Sequence, residues 1–220
     1  MSSLEIRRRK ALPAVGRPAL IIVDVQRSFG DPEYLTGWGL SDAVLEGIAA
    51  AVASCAALVE SARALDIPVY WVELATDPSR IWRASNWFRY GDPEALLAPD
   101  EPCVAGTSGA DWYGLAPADG EYRARKRKYS GFHDTGLEHR LRADGIGWVS
   151  IVGLTTECCI AATATAAFEH DWPVVVPRDA TAAYGLDVHE NALNQLSLTS
   201  SDICTSEELV SLWRTTGDMP

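Results

Sequence analysis

Ile151-Val152-Gly153-Leu154-Thr155-Thr156-Glu157-Cys158-Cys159-Ile160 is an apolar run that breaks at Gly153 and restarts as a helix with two cysteines in its first turn. It is one strand-to-helix step, and it puts a thiol where a cysteine nucleophile would be placed. A thiol of ordinary pKa, about 8.5, is only a few per cent ionised at neutral pH. A helix N-terminus and a nearby cation can lower that value by roughly 2 units, so a thiolate is expected here. The plainer reading is that two small, readily buried residues pack the helix against a sheet.

The same alternation continues on both sides. Toward the C-terminus come a helix over 159–170 with closely spaced alanines and threonines, a strand over 174–176, a helix over 187–198, a short edge strand over 202–204 and an amphipathic helix over 206–214. Toward the N-terminus lie the strand 148–152, a helix begun by the capping box Thr135-Gly136-Leu137-Glu138, and a strand over 122–126. Residues 18–23 are an apolar run of the kind buried on both faces of a parallel sheet, and the run ends at Asp24. Ser41 caps an alanine-rich helix reaching residue 65, with Val44, Leu45, Ile48, Val52, Cys55, Leu58 and Val59 on one face; Pro68 then leads into a strand over 69–72. This pattern predicts a three-layer α-β-α, Rossmann-like domain with a mostly parallel, about six-stranded sheet and right-handed crossovers.

At 220 residues and 47% hydrophobic content the chain can bury one core, and no composition shift marks a boundary, so a single domain over 1–220 is expected. Residues 1–17 read as a polar N-terminal arm, and 75–121 as an insertion with little periodicity; a stretch that long inside a compact domain is usually functional.

The net charge of −11 argues against nucleic acid or an anionic membrane as partner. Arg7-Arg8-Arg9-Lys10 belongs to the arm and reads as a solvated tail. In 123–128 strand alternation sends Arg125 and Arg127 one way and Lys126 and Lys128 the other, so no basic stripe forms. Cys55, Cys103, Cys158, Cys159 and Cys204 include no C-x-x-C pair and no secretory signal is read ahead of them, which fits free thiols in a cytoplasmic location. Ser54, Glu60, Ser61 and Arg63 interrupt the longest apolar stretch, so no span of roughly 18 residues is expected.

In open parallel sheets, ligands sit beyond the carboxyl ends of the strands. Asp24 closes one strand, Lys126 ends another, and the cysteine pair follows a third, so an acid, a cation and a thiol share one rim. Taken singly, Asp24 also reads as a strand-end cap and Lys126 as a solvated lysine, with Lys128 on the same face as its rival.

Together the three segments resemble the isochorismatase-like cysteine hydrolases, a superfamily that includes nicotinamidase, N-carbamoylsarcosine amidase, ureidoacrylate amidohydrolase and biuret hydrolase. The resemblance spans roughly residues 19–212 and is faint over 75–121. The family's Asp-x-Gln-x-x-Phe stands here as Asp24-Val25-Gln26-Arg27-Ser28-Phe29. Its lysine lies four residues before a Ser-Ala/Gly-Phe triplet, which selects Lys126 ahead of Ser130-Gly131-Phe132. Its Gly-x-x-Thr-x-x-Cys-Val maps onto Gly153, Thr156, Cys159 and Ile160, with isoleucine for valine as a departure; Thr163-Ala164 and Arg178-Asp179-Ala180-Thr181 extend the likeness.

The resemblance implies Cys159 as nucleophile, Asp24 as proton carrier and Lys126 as the cation that favours the thiolate and holds the aspartate. It also implies an oxyanion hole from the N–H groups of Thr155 and Cys159, with a cis peptide between Leu154 and Thr155; such donors are worth roughly 3 kcal/mol each in other hydrolases. Gln26, Phe29, Trp82, Trp87, Tyr129 and Phe132 are the expected pocket. Trp82, Trp87, Trp112 and Tyr113, with Arg80, Arg83 and Arg89, read as a lid or pocket wall and equally as core.

The implied activity is cysteine-dependent hydrolysis of a carbon–nitrogen bond in a small amide or ureide. The form Lys-x-x-Tyr-Ser-Gly-Phe, over 126–132, is similar to that of ureidoacrylate amidohydrolase. The alternatives are the vinyl-ether hydrolysis of isochorismatase proper, whose members lack the nucleophilic cysteine, and a non-catalytic binding protein on the same fold. The metal ligands of nicotinamidases are missing: Glu73-Leu74-Ala75-Thr76-Asp77-Pro78-Ser79 holds no histidine, and His133, His139, His170 and His189 lie outside the expected pocket segments. No metal or other cofactor is expected. A homodimer or homotetramer is implied, in keeping with a tryptophan-rich insertion that would expose apolar surface.

Overall fold

The computed structural model describes residues 3–98 and 100–217; Met1 and Ser2 of the arm, Pro99 of the insertion and residues 218–220 lie outside the described residues. Strands β1 (Arg17–Val23), β2 (Val69–Leu74), β3 (Tyr122–Lys126), β4 (Ile146–Leu154), β5 (Val174–Pro177), β6 (Thr181–Ala182) and β7 (Ser201–Cys204) form one parallel sheet. The order is β3-β2-β1-β4-β5-β7, with β6 paired to the end of β4. The sheet is therefore seven-stranded rather than six, because Thr181–Ala182 pairs with Gly153 and Leu154. Two residues are too short a run to carry a period in the sequence.

The helices are α1 (Ser3–Val15), α2 (Arg27–Gly30), α3 (Pro32–Leu35), α4 (Asp42–Ala64), α5 (Arg83–Tyr90), α6 (Leu137–Ala143), α7 (Ala161–Glu169), α8 (Leu186–Thr199) and α9 (Ser206–Gly217). Alternate side chains of β1 feed the two faces of the sheet. Leu20 and Ile22 join α4 and α9 in one cluster with Trp71, Trp148 and Trp213. Ala19, Ile21 and Val23 join α6, α7 and α8 in the other, with Val149, Ile151 and Val176. Burial on both faces explains the unbroken apolar run, and each fully buried leucine or isoleucine contributes about 1.5–3 kcal/mol. By length and composition α4 could cross a membrane. Here its apolar face, Val44, Ile48, Val52, Cys55, Leu58 and Val59, is buried in the first cluster.

Three local expectations are corrected. The arm is not a solvated tail: Leu12 is buried, and Arg9 bonds Asp202 at 2.6 Å, Glu208 at 3.0 Å and the Ile203 carbonyl at 2.8 Å, tying α1 to β7 and α9. Arg9 alone of the basic cluster finds carboxylates from the far end of the chain, which no local pattern shows, while Arg7, Arg8 and Lys10 stay exposed. Thr135 does not form a capping box with Glu138: Gly136, in the left-handed region, holds the N-cap of α6, while Thr135 Oγ1 donates to the Gly131 carbonyl and accepts from the Leu137 N–H at 3.3 Å. Finally, the helix after β4 opens with a π turn, Thr156–Ile160, before α7 begins.

β1 lies between β2 and β4, so the chain order reverses there and leaves a crevice beyond their carboxyl ends. Gly153 makes the close approach of β1 and β4 possible: at φ +123°, a Cβ would run into the Val23 carbonyl oxygen. The insertion is pinned across this crevice. Gln26 donates to the carbonyls of Leu74 (3.0 Å) and Ala110 (2.8 Å), and Trp112 packs edge-on against Trp71 with ring centroids 4.8 Å apart.

Candidate active site

Asp24, directly after β1, takes a left-handed backbone conformation (φ +51°) as the chain leaves the strand. Lys126 is the last residue of β3, and Cys159 sits in the π turn that follows β4. All three side chains are buried. The Lys126 ammonium is 2.6 Å from Asp24 Oδ2 and donates to Cys159 Sγ at 3.2 Å and to the Lys128 carbonyl at 3.0 Å. Those contacts use its three protons. Lys128 is thereby separated from Lys126: its backbone anchors the ammonium, while its own Nζ lies 5.8 Å from the Trp82 ring centroid.

The charge states follow from burial and proximity. Burial pushes the Asp24 carboxyl above the usual carboxylate range, against the pull of Lys126 and of the Cys159 thiol beside it. Burial alone would lower Lys126, but the facing charges of Asp24 and Cys159 outweigh it and hold the ammonium firmly charged. The hydrogen bond with Cys158, burial and the Asp24 charge together hold the Cys159 thiol well above the ordinary cysteine range, with Lys126 offsetting them in part. The lowering of the Cys159 pKa expected from the sequence is thus replaced by a shift upward. The helix opening and the cation are both present, but burial and an adjacent carboxylate act more strongly in the other direction.

The peptide between Leu154 and Thr155 is cis, as the resemblance implied. Thr155 and Cys159 line a cavity of about 440 Å³ with Lys126 and Cys158, and Thr155 Oγ1 donates to Glu157 at 3.0 Å. Behind them, the buried Thr156 hydroxyl meets His189 Nδ1 at 2.8 Å, so a histidine set apart from the site on sequence grounds braces the turn that carries Cys159 from α8.

Of the six expected pocket residues, Phe29, Trp82 and Tyr129 line the cavity. Gln26 does not; it is buried as the clamp between β2 and the insertion. Phe132 packs with Trp172 and His170 in the second core cluster, its ring 5.9 Å from the indole. Trp87 points outward and is 62% exposed. Trp112 and Tyr113 belong with the core, whereas Arg80 and Arg89 line the cavity. Trp38, Asn86 and Tyr184 complete the wall unanticipated. Tyr184 follows β6, so the strand-end rule would have found it had that strand been legible. Among the described residues, no group of three or more His, Cys, Asp or Glu side chains is placed to hold a metal ion.

A chain with this fold and this strand-end constellation matches the family model described as Isochorismatase domain over residues 18–208. The protein belongs to the isochorismatase family. Within that family it is 29% identical over 185 residues to a ureidoacrylate amidohydrolase of Methylobacterium radiotolerans, covering 79% of this chain and 70% of that one. It is 26% identical over 195 residues to a maleamate amidohydrolase of Pseudomonas putida, covering 87% and 84%. Among solved structures, an isochorismatase family protein of Desulfovibrio vulgaris superposes with a TM-score of 0.72 at 28% identity, over 90% of this chain and 100% of the other.

Proposed function

We propose that this isochorismatase-family protein is a cysteine amidohydrolase that cleaves the carbon–nitrogen bond of a small amide, ureide or carbamoyl compound through a thioester. One observation carries the reading: Lys126 Nζ lies 2.6 Å from Asp24 and 3.2 Å from the Cys159 thiol, at the floor of an open cavity. The relatives named as amidohydrolases support the reaction class.

In the first half-reaction the Cys159 proton passes to Asp24 as Sγ attacks the carbonyl carbon, and the oxyanion accepts hydrogen bonds from the Thr155 and Cys159 N–H groups. Lys126 stabilises the developing thiolate and keeps the carboxylate in place. Asp24 then returns the proton to the departing nitrogen, the C–N bond breaks, and an acyl thioester remains. In the second half-reaction Asp24 takes a proton from water, hydroxide displaces Sγ, and the proton restores the thiol. The upward shift that burial gives Asp24 makes its carboxylate a better acceptor for the thiol proton.

The test is a panel of primary amides, biuret and carbamoyl and ureido acids read by ammonia release, beside isochorismate read by pyruvate. Ammonia is expected; pyruvate with no turnover of any C–N compound would overturn the reading. A homodimer or homotetramer in the cytoplasm completes the proposal. Trp87, Phe88 and Leu96 of the insertion are 62%, 79% and 86% exposed, apolar side chains that a subunit interface would cover, and the five free thiols suit a reducing compartment. A light-scattering mass near 23.8 kDa would count against the oligomer.

A further inference from the structure

The turn that carries Cys159 has an unusual hydrogen-bond register. In an α turn the Cys159 N–H would donate to the Thr155 carbonyl, four residues back. Here that carbonyl accepts from the amides on either side of Cys159, Cys158 at 3.2 Å and Ile160 at 3.1 Å, and the Ala161 N–H reaches back five residues to the Thr156 carbonyl. A π turn of this kind is rare and frequently marks a functional site, so its two ends must be held. Packing holds the far end: α7 starts at Ala161, and its Ala164 and Ala167 are fully buried in the second core cluster. A side chain from another element holds the near end. Thr156, itself fully buried, meets His189 Nδ1 at 2.8 Å, and His189 lies in the first turn of α8, 33 positions further along the chain, with its own N–H on the Gly185 carbonyl at 3.0 Å. Burial holds the His189 pKa below the ordinary histidine range, with Glu190 opposing and the Arg178 charge adding to the effect, so the ring is neutral and offers one donor and one acceptor nitrogen.

We propose that His189 is a positioning residue: by holding the Thr156 hydroxyl it keeps the turn in its π register, and that register leaves the Cys159 N–H to the oxyanion. This rests on the amidohydrolase reading and adds to it a residue that touches no reacting atom. With Thr156 pinned to α8 and Ala161 pinned to the core, the residues between them span the gap as the wider turn. Once the Thr156–His189 contact is cut, the turn can tighten to the α register, the Thr155 carbonyl recaptures the Cys159 N–H, and the oxyanion loses a donor. Asp24 and Lys126 stand on other strands, and the cavity wall belongs largely to the insertion, so neither the acid–cation pair nor substrate binding depends on the same contact. The loss should therefore fall on the acyl-transfer step and spare the reactivity of the thiol itself.

Two reagents separate the oxyanion donor from the thiol. Iodoacetamide alkylates Cys159 by displacement: the S–C bond forms, iodide leaves, the thiol proton goes to solvent, and no oxyanion arises. Propionaldehyde adds reversibly: the S–C bond forms, the carbonyl π bond opens, and the proton passes to the carbonyl oxygen, which lies against the oxyanion donors. Its affinity is read as protection of Cys159 from alkylation, located by mass spectrometry. His189→Ala should weaken the aldehyde about 10-fold or more and lower kcat about 30-fold or more, with KM and the alkylation rate within about 3-fold of the parent. Thr156→Val should do the same, and the double variant should be little worse than either single one, since both cut one contact. His189→Asn, whose Oδ1 takes the place of Nδ1, should recover kcat and aldehyde affinity to within about 5-fold of the parent. A His189→Ala protein that keeps its kcat and aldehyde affinity, or loses alkylation as steeply as aldehyde binding, would overturn the role. Additive losses in the double variant, a His189→Asn protein as impaired as the alanine one, or a parent that shows no aldehyde protection would do the same. If His189→Ala fails to fold, Thr156→Val, which keeps the side-chain shape, carries the comparison. If the parent hydrolyses no amide, the amidohydrolase reading fails, while aldehyde affinity against alkylation rate still decides the role of His189.

Discussion

The crevice floor and the insertion above it are built on different terms. On the floor, Asp24, Lys126 and Cys159 are buried, each at the carboxyl end of a strand, and every contact among them is between side chains that the sheet holds at fixed spacing. Over the insertion the apolar residues divide: Trp112 and Cys103 go inward as anchors, Trp82 faces the cavity, and Trp87, Phe88 and Leu96 face outward. Parallel pairing spaces Asp24, Lys126 and Cys159 closely whatever fills the loops between the strands, so under the proposed function the chemistry falls to the sheet and the choice of ligand to the insertion.

The largest expected effect tests the floor. Cys159→Ala should lower turnover by at least ~10³-fold with the circular dichroism spectrum unchanged, and Cys158→Ala should stay within about 3-fold of the parent, because the second cysteine lies at the pocket side without contacting Lys126. Loss in the Cys158 variant with survival in the other would reverse the assignment.

Stability should separate the two regions next. Lys126→Met leaves a buried carboxylate without its cation and should cost about 3–5 kcal/mol in urea unfolding. In the insertion, Asn86→Ala removes the 2.7 Å bond from Nδ2 to the Ala95 carbonyl, beneath α5, and should cost about 1–3 kcal/mol. Equal losses would mean that the insertion is as integral to folding as the rim.

The smallest effect concerns pH. Asp24 must be ionised to accept the thiol proton, so kcat/KM rises with pH through its pKa; because burial raises that pKa, the acid limb should lie above the ordinary value of about 3.9. Arg89→Gln, at the insertion wall and paired to Glu101, should leave the limb in place while changing KM. A limb at or below the ordinary carboxylate value, or one that moves with Arg89, would erase the division of labour between floor and insertion.

Legibility followed the same division. The end of β1 could be read because an unbroken apolar run marks a strand buried on both faces and the residue after it, Asp24, must lie on the rim; β3, Tyr-Arg-Ala-Arg-Lys, carries no such run, and Lys126 over Lys128 and Cys159 over Cys158 came from the family resemblance. The pocket wall could not be read. Gln26 and Phe132 sit in motif segments yet serve as a clamp and a core residue, and Trp87 sits one helical residue from the buried Asn86 yet faces outward. An eight-residue helix in an aperiodic stretch offers no period from which to tell its faces.

By itself the sequence determined the parallel sheet and the order of its elements, since these depend on local periodicity and on the handedness of strand–helix–strand connections, while its motifs, through their resemblance to a known family, singled out Asp24, Lys126 and Cys159. Only the tertiary structure decided that the arm docks through Arg9 on residues almost two hundred positions away, that Lys128 is turned to Trp82 while Lys126 meets Asp24, and that its surroundings push the Cys159 thiol up rather than down. These outcomes depend on which charges end up adjacent and how far each is removed from water. Both quantities vary over a few ångströms of packing, and neither has a counterpart in the linear order of residues.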